Sequence, residues 1–131
     1  MKIIATILCL GLVVGCALFP QTGKPDPDAL VAILTNADIR WDGTDLGLHP
    51  FVEGRPANKL LGLGKLASPA LRKALSDPNK FVAAHVLLTQ IEKKKYQISA
   101  SRWNNLSVNL HADGTVNYLP EQITKIMAMW K

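Results

Sequence analysis

The sequence is poor in cysteine, and both of its cysteines lie in the N-terminal apolar run. Cys9 and Cys16 fall within that run, and residues 17–131 contain none. The remainder of the chain therefore cannot form a disulfide, a thiolate metal site or a cysteine nucleophile. An exported domain without disulfides must be stabilised by its own apolar core.

Histidine is also scarce, and the known catalytic and nucleotide-binding motifs are absent. His49, His85 and His111 are scattered, whereas a zinc site needs three or four closely spaced ligands. The aspartates between residues 37 and 55 do not have the spacing of a calcium-binding loop and favour turns. We therefore expect no metal site, no cofactor and no catalytic residue.

Positive charge is present in moderate excess but is spread along the chain. The formal net charge is +5, and the only dense cluster is Lys93, Lys94 and Lys95. A nucleic-acid-binding protein usually has a basic stripe or a known reading motif, so we expect no nucleic-acid partner. The lysine cluster is typical of a solvated helix end, and its alternative role is weak attraction to anionic lipid headgroups.

The N-terminus has the layout of a secretory signal peptide. Lys2 precedes an apolar segment at residues 3–14, and no acidic residue occurs before Asp26. The whole apolar run at residues 3–19 is 17 residues long, which is at the short limit for crossing a bilayer. An uncleaved membrane anchor therefore stays open as an alternative to a cleaved peptide.

The end of this run, Val13-Val14-Gly15-Cys16, resembles the lipobox of bacterial lipoprotein signal peptides. The resemblance implies cleavage between Gly15 and Cys16 and a diacylglyceryl group on the Cys16 thiol. Residues 1–15 would then be the signal peptide, and residues 16–27 the lipidated cysteine and its tether. The chain would be exported and held by lipid on the outer face of the cytoplasmic membrane or on the outer membrane, facing the periplasm.

Residues 28–131 are long enough for a single small globular domain. Asp26 and Pro27 are typical of a helix start, and apolar residues recur at helical spacing until Asn36. Residues 37–55 contain three glycines, a proline and three aspartates. This composition predicts an irregular loop, with at most one short strand at residues 48–52.

Residues 56–92 have the strongest helical pattern. Three helical pieces are expected to begin at Pro56, at Ser68-Pro69 and at Asp77-Pro78, because each start has a proline in the first turn. Ser68 and Asp77 are expected to cap the second and third pieces. The third piece has apolar residues on most sides, which indicates a buried helix. His85 lies on its apolar face and is expected to be a hydrogen-bonded core histidine.

The stretch "LLGLGKLASPALRKALSDPNKFVAAHVLL" resembles a HEAT-type repeat, in which two antiparallel helices pair. The positions that match are Leu63, Gly64, Pro69, Ala70, Leu71, Ala74, Leu75, Asp77, Val82, Ala83 and Ala84. Only one unit is present, and solenoids need about three, so other segments must complete the core. The resemblance implies a protein-binding scaffold and no reaction.

Residues 105–119 predict a β-hairpin whose turn contains Asp113 and Gly114, and residues 120–131 predict a C-terminal helix. The predicted fold is therefore mainly α with a small β-hairpin. In it, a HEAT-like helical hairpin packs with an N-terminal and a C-terminal helix.

These patterns favour a lipid-anchored envelope protein that acts as a protein-binding or scaffold module. Trp41 and Trp103 are candidates for partner contact, although large aromatic residues in a small domain more often belong to the core. The alternative is a small envelope enzyme or accessory subunit that uses the 37–55 loop and His85. The alternative requires His85, Asp42 and Asp45 to converge in one pocket.

Overall fold

The computed structural model describes residues 25–95 and 97–131, which form helices and small antiparallel strand pairs. The predicted signal peptide, its cleavage site at Gly15 and the lipidation site Cys16 lie outside the described residues. Five α-helices are described: α1 (Pro27–Ile33), α2 (Arg55–Leu63), α3 (Ser68–Ala74), α4 (Phe81–Ile91) and α5 (Ile123–Met129). Six strands are described: β1 (Ile39–Thr44), β2 (Gly47–Val52), β3 (Arg102–Trp103), β4 (Leu106–Ser107), β5 (Asn109–Leu110) and β6 (Val116–Asn117).

Helix α1 begins where its sequence predicts. The Asp26 side chain accepts a hydrogen bond from the backbone N–H of Asp28, and Pro27 occupies the first helical turn. The helix ends at Ile33, before the predicted stop at Asn36, because Leu34 adopts an extended backbone. A short 3-10 helix (Asn36–Asp38) follows and leads into the first strand.

The prediction of an irregular loop at residues 37–55 is wrong, because most of this segment is a β-hairpin. Strands β1 and β2 pair antiparallel, from Ile39 opposite Val52 to Thr44 opposite Gly47. Ile39 and Trp41 are buried while the residues between and after them are exposed, which is the two-residue period of a strand. The core side chains that pack against Ile39 and Trp41 come from elements distant in the sequence. The hairpin therefore depends on packing that its turn-rich composition does not indicate.

Two of the predicted helix starts work differently from the expected caps. Ser68 continues a 3-10 helix (Gly64–Ala67) into α3, and its hydroxyl donates a hydrogen bond of 2.8 Å to Glu92. Asp77 and Pro78 lie in a turn, and α4 begins only at Phe81. The Asp77 carboxylate accepts from the N–H of Asn79 within that turn, so it does not cap the helix.

The predicted hairpin at residues 105–119 is present only in its second half. Strands β5 and β6 join across Asp113 and Gly114, with Gly114 in the left-handed region at φ 87°. The first half, β4, instead pairs antiparallel with β3, the strand that precedes it in the sequence. Asn104 and Asn105 connect β3 to β4, and both have positive φ, which is the signature of a type I′ turn.

One hydrophobic core joins these parts. It extends from Leu30 in α1 to Trp130 after α5 and includes most of α4, of which only Gln90 is exposed. The predicted C-terminal helix is α5, preceded by a 3-10 turn (Pro120–Gln122). The fold is therefore mixed, with helices and three small strand pairs instead of a mainly α fold with one hairpin. No helix within residues 25–95 or 97–131 is long and apolar enough to cross a membrane.

Candidate functional site

His85 lies at the centre of the core, and both of its ring nitrogens are hydrogen-bonded. The indole N–H of Trp130 donates to Nδ1 at 2.9 Å, and Nε2 lies 2.8 Å from the carbonyl oxygen of Asn104. Because Nδ1 accepts, the ring proton must be on Nε2, which donates to that carbonyl. This arrangement fixes one neutral tautomer of the imidazole.

A second layer of polar groups supports this arrangement. The Asn104 side-chain amide donates to the Thr89 hydroxyl at 2.8 Å, and that hydroxyl donates to the His85 carbonyl oxygen at 2.8 Å. Asn104 therefore bonds the ring of His85 through its backbone carbonyl, and it is linked through the Thr89 hydroxyl to the backbone of the α4 turn between His85 and Thr89. The three residues are buried together, and each bond offsets the cost of placing a polar group in the core.

The electrostatics of this centre keep His85 uncharged. Burial, with a smaller contribution from the charge of Lys94, lowers the pKa of His85 to about 4, although the Asn104 carbonyl acts in the opposite direction. The imidazole is fully enclosed and has no free nitrogen. His85 is thus a structural core residue, as expected from its place on the apolar face of α4.

The structure does not bring together the residues that the alternative catalytic hypothesis needs. Asp42 and Asp45 lie on the exposed side and at the tip of the β1–β2 hairpin, whereas His85 is completely buried. Asp42 makes an ion pair of 3.7 Å with Arg40, and both side chains are about half exposed. A pocket shared by His85 and these aspartates is not formed.

The three tryptophans are part of the core, which is the more common role of large aromatic residues in a small domain, and this burial does not favour Trp41 and Trp103 as contacts for a partner. Trp41 is 5% exposed and Trp103 is fully buried. Their rings meet edge to face at 5.8 Å, and Trp103 in turn meets the ring of His85 at 5.6 Å. Neither indole is available to a partner in this conformation.

A different surface has the shape of a binding site. Two clefts of about 420 Å³ each adjoin and share Asn36 and Ala37; together we call them the Asn36 groove. One cleft is lined by Asn36, Ala37, Ile39, Thr115, Val116 and Tyr118, and the other by Thr35, Asn36, Ala37, Asp77, Asn79 and Lys80. The surface of the first cleft is mainly apolar, with Asn36 and Thr115 as its polar residues, and ligand sites commonly combine these two kinds of surface.

Asn36 makes one wall of this groove rigid. Its side-chain carbonyl accepts from the N–H groups of Val82 and Ala83, at 3.1 and 3.4 Å, and so caps α4 from 46 residues away along the chain. Its side-chain amide donates to the carbonyl of Pro78 at 2.8 Å, and its backbone N–H donates to Asn79 at 2.8 Å. The groove therefore exists before any partner binds.

The opposite wall is the outer edge of β6. Within the described residues, β6 pairs with β5 only, so its other edge is open. The N–H of His111 donates to Thr115, and because antiparallel pairs alternate, Leu110 and Val116 form a non-hydrogen-bonded pair. The backbone N–H and C=O of Val116 therefore point away from β5, towards the open edge.

Tyr118 connects this wall to the core. Its hydroxyl accepts a hydrogen bond of 2.6 Å from the indole N–H of Trp41, and its ring packs edge to face against Phe81. Burial raises the pKa of Tyr118 to about 12, so the hydroxyl is protonated and can also donate. This wall of the groove is consequently connected to the aromatic residues that surround His85.

Within residues 25–95 and 97–131, no group of three or more histidine, cysteine, aspartate or glutamate side chains could hold a metal ion. No protein-family model matches this chain, and no characterised protein or solved structure matches it either. The site must therefore be interpreted from its own geometry.

The sequence did not indicate the groove. Asn36 was expected to end a helix, and residues 115–118 were expected only to form a strand. The signal that could have been noticed is the strand pattern of Val116 and Tyr118 without a third strand to cover it, since a lone two-stranded hairpin is marginal in water.

Proposed function

We propose that this chain is a membrane-tethered binding module that holds an extended segment of a partner protein in the Asn36 groove. The observation that carries the proposal is the pair of adjoining clefts beside the open edge of β6. An extended segment could add to that edge through the backbone of Val116, a common mode of peptide recognition. Its side chains would occupy the two clefts.

The rigidity of the groove favours binding. Loops that must be ordered at the moment of binding lose affinity, and a preformed site avoids this cost. Asn36 and Tyr118 already hold the two walls through side-chain hydrogen bonds to distant residues. The half-buried side chains of Val116 and Tyr118 supply the hydrophobic part of the interaction.

The tether proposal rests on the lipobox resemblance at Val13-Val14-Gly15-Cys16. Lipid on Cys16 would place the domain at the outer face of the cytoplasmic membrane or at the outer membrane. A tethered module meets a membrane partner at high effective concentration, so weak binding in the groove would suffice. Mass spectrometry of the mature N-terminus tests this part: an acylated Cys16 supports it, and an intact Met1 or an unmodified Cys16 refutes it.

We also propose that α3 and α4 form a HEAT-like helical pair. The two helices pack on each other through buried faces, and only residues 75–80 connect them, which is typical of antiparallel neighbours. The β1–β2 hairpin, α1 and α5 would replace the neighbouring repeats that a solenoid provides. This arrangement would hold α4 and the Asn36 groove in fixed positions.

Site-directed photocrosslinking in membranes of the native host tests the binding proposal. A photoreactive residue at Ala37 or Thr115, both exposed and both in the groove, should crosslink the same protein partner. The matched control is Lys65, which is exposed but does not line the groove. No crosslink at either groove position, or an equal yield at Lys65, would refute the proposal.

A further inference from the structure

The C-terminal ends of α4 and α5 meet at one corner of the domain, which carries three consecutive lysines. Lys94 joins the two ends: its ammonium group donates to the carbonyl of Met129 at 3.2 Å and lies 4.5 Å from the centre of the Trp130 ring. Lys93, Lys94 and Lys95 are all exposed, and we call them the lysine corner. Both helices end here with the negative end of their dipoles, which favours cations.

The backbone at Lys93 is unusual for a lysine. Its φ of 52° lies in the left-handed region, where the residue after a helix is usually glycine. The N–H of Lys94 bonds back to the carbonyl of Thr89 at 3.2 Å, which completes a Schellman-type helix end. A side chain in this conformation is strained relative to glycine, and such outliers often mark positions with a functional role.

The charges of the corner are not neutralised by the described part of the chain. Both salt bridges found within residues 25–95 and 97–131 belong to Arg40, far along the sequence. The neighbouring acid, Glu92, makes no ion pair with these lysines within the described residues, and its carboxylate accepts a hydrogen bond from Ser68. Stabilisation of the two helix ends explains a lysine at position 94, because Lys94 bonds the Met129 carbonyl. It does not explain why Lys93 and Lys95 are also lysines.

We propose that the lysine corner binds anionic lipid headgroups and so orients the domain on its membrane. The inference rests on the proposed tether at Cys16, which would keep the corner within reach of a lipid surface. Nucleic acid is disfavoured because the aromatic ring at this corner, Trp130, is only 5% exposed and is covered by Lys94, so it cannot stack on a base. Lysine is also suited to headgroup contact as a solvated point charge near the membrane surface.

Lysine labelling of the full chain in lipid nanodiscs tests the proposal. The chain is reconstituted in phosphatidylcholine discs with or without phosphatidylglycerol, and acetylation of each lysine is followed by mass spectrometry. In the anionic discs, labelling of Lys93 and Lys95 should slow by about fivefold each and recover in about 0.5 M salt. Lys59 and Lys65, which are also exposed, should label equally in both kinds of disc.

The outcomes separate this proposal from the one on which it rests. If the chain dissociates from both kinds of disc, the tether fails. If it stays bound but labelling of Lys93 and Lys95 ignores lipid charge, the lysine corner proposal is overturned. Protection by added duplex DNA or an acidic protein, but not by anionic discs, would overturn it in favour of another class of partner.

A paired set of variants provides the control. Lys93→Gln with Lys95→Gln should make the labelling of Lys94 independent of lipid charge. Lys59→Gln with Lys65→Gln should leave the protection of Lys93 and Lys95 unchanged. The described residues show no side-chain hydrogen bond or ion pair for any of the four substituted lysines, so both double variants are expected to fold.

Discussion

Acidification should destabilise this protein through the buried imidazole of His85. In the folded chain the imidazole is enclosed and neutral, with Nδ1 accepting from Trp130 and Nε2 donating to Asn104. Protonation would put a second donor opposite the indole N–H of Trp130 and a charge into an apolar core. The folded state therefore resists the proton, whereas the unfolded chain accepts it readily.

The sign and size of the effect follow from the two pKa values. The pKa of His85 is lowered from 6.5 to about 4 on folding. Below about pH 6.5 the unfolded state binds more protons than the folded state, so stability falls as the pH falls, and the loss levels off only below about pH 4. At about 1.4 kcal/mol for each pKa unit, the full loss is about 3.5 kcal/mol, with about 2 kcal/mol of it lost by pH 5. This is a large fraction of a typical folding free energy.

Urea denaturation followed by tryptophan fluorescence at pH 7, 6 and 5 measures this loss. The matched variant is His85→Gln, whose amide keeps one donor and one acceptor but does not titrate. It should be less stable than the parent at pH 7, yet lose about 2 kcal/mol less between pH 7 and pH 5. Equal pH dependence in the parent and in His85→Gln would refute the role assigned to the buried imidazole.

Three further substitutions test the architecture by the same unfolding assay. Asn36→Ala removes the distant cap of α4 and should cost about 2–3 kcal/mol. Asn79→Ala, in the turn that precedes α4, should cost under about 0.5 kcal/mol, and similar losses for the two variants would contradict the capping role of Asn36. Gly54→Ala would place a methyl group against the Asp38 side chain and should cost about 2 kcal/mol of unfolding free energy. Gly62→Ala, which faces open space on α2, should stabilise the protein by about 0.5 kcal/mol. A Gly54→Ala variant as stable as the parent would refute the close contact between Gly54 and Asp38. Asn105→Val should cost about 1–2 kcal/mol because φ is 67° there, and no loss would contradict the type I′ turn.

Local signals predicted the elements that are held by local interactions. The start of α1 follows from Asp26 and Pro27, whose hydrogen bond and backbone restriction act within one turn. The turn at Asp113 and Gly114 also forms as expected, because its geometry depends on the left-handed glycine and on the Asp113 carboxylate, which accepts from Thr115. The pKa of Asp113 is lowered by these same bonds.

The β1–β2 hairpin could not be recognised because its stability comes from elsewhere. Its outer face is charged, with Arg40 bonded to Glu53 and lying over the ring of Phe51. Its inner face places Trp41 and Leu48 in a core built by the helices and by residues after 97. The sequence of this segment shows its aspartates and glycines, but it does not show the helices and later residues that cover the apolar face of the hairpin.

The same limit applies to the site residues. Burial of His85 follows from the apolar face of α4, but its partners lie 19 and 45 residues further along the chain. Asn36 has the composition of a helix stop, and only the folded chain places it at the start of a helix 46 residues away. Contacts at such separations depend on the whole topology, so the Asn36 groove could not be derived from local pattern.

The bond between Trp130 and His85 has a consequence for the order of folding. A chain that folds as it emerges from its N-terminus would contain all of α4 long before residue 130 is available. Until then, Nδ1 of His85 lacks its donor, and the Trp41–Tyr118 bond, which spans 77 residues, is also incomplete. The hydrogen bonds of this core are therefore expected to be completed in a late step, after residue 130 has been synthesised.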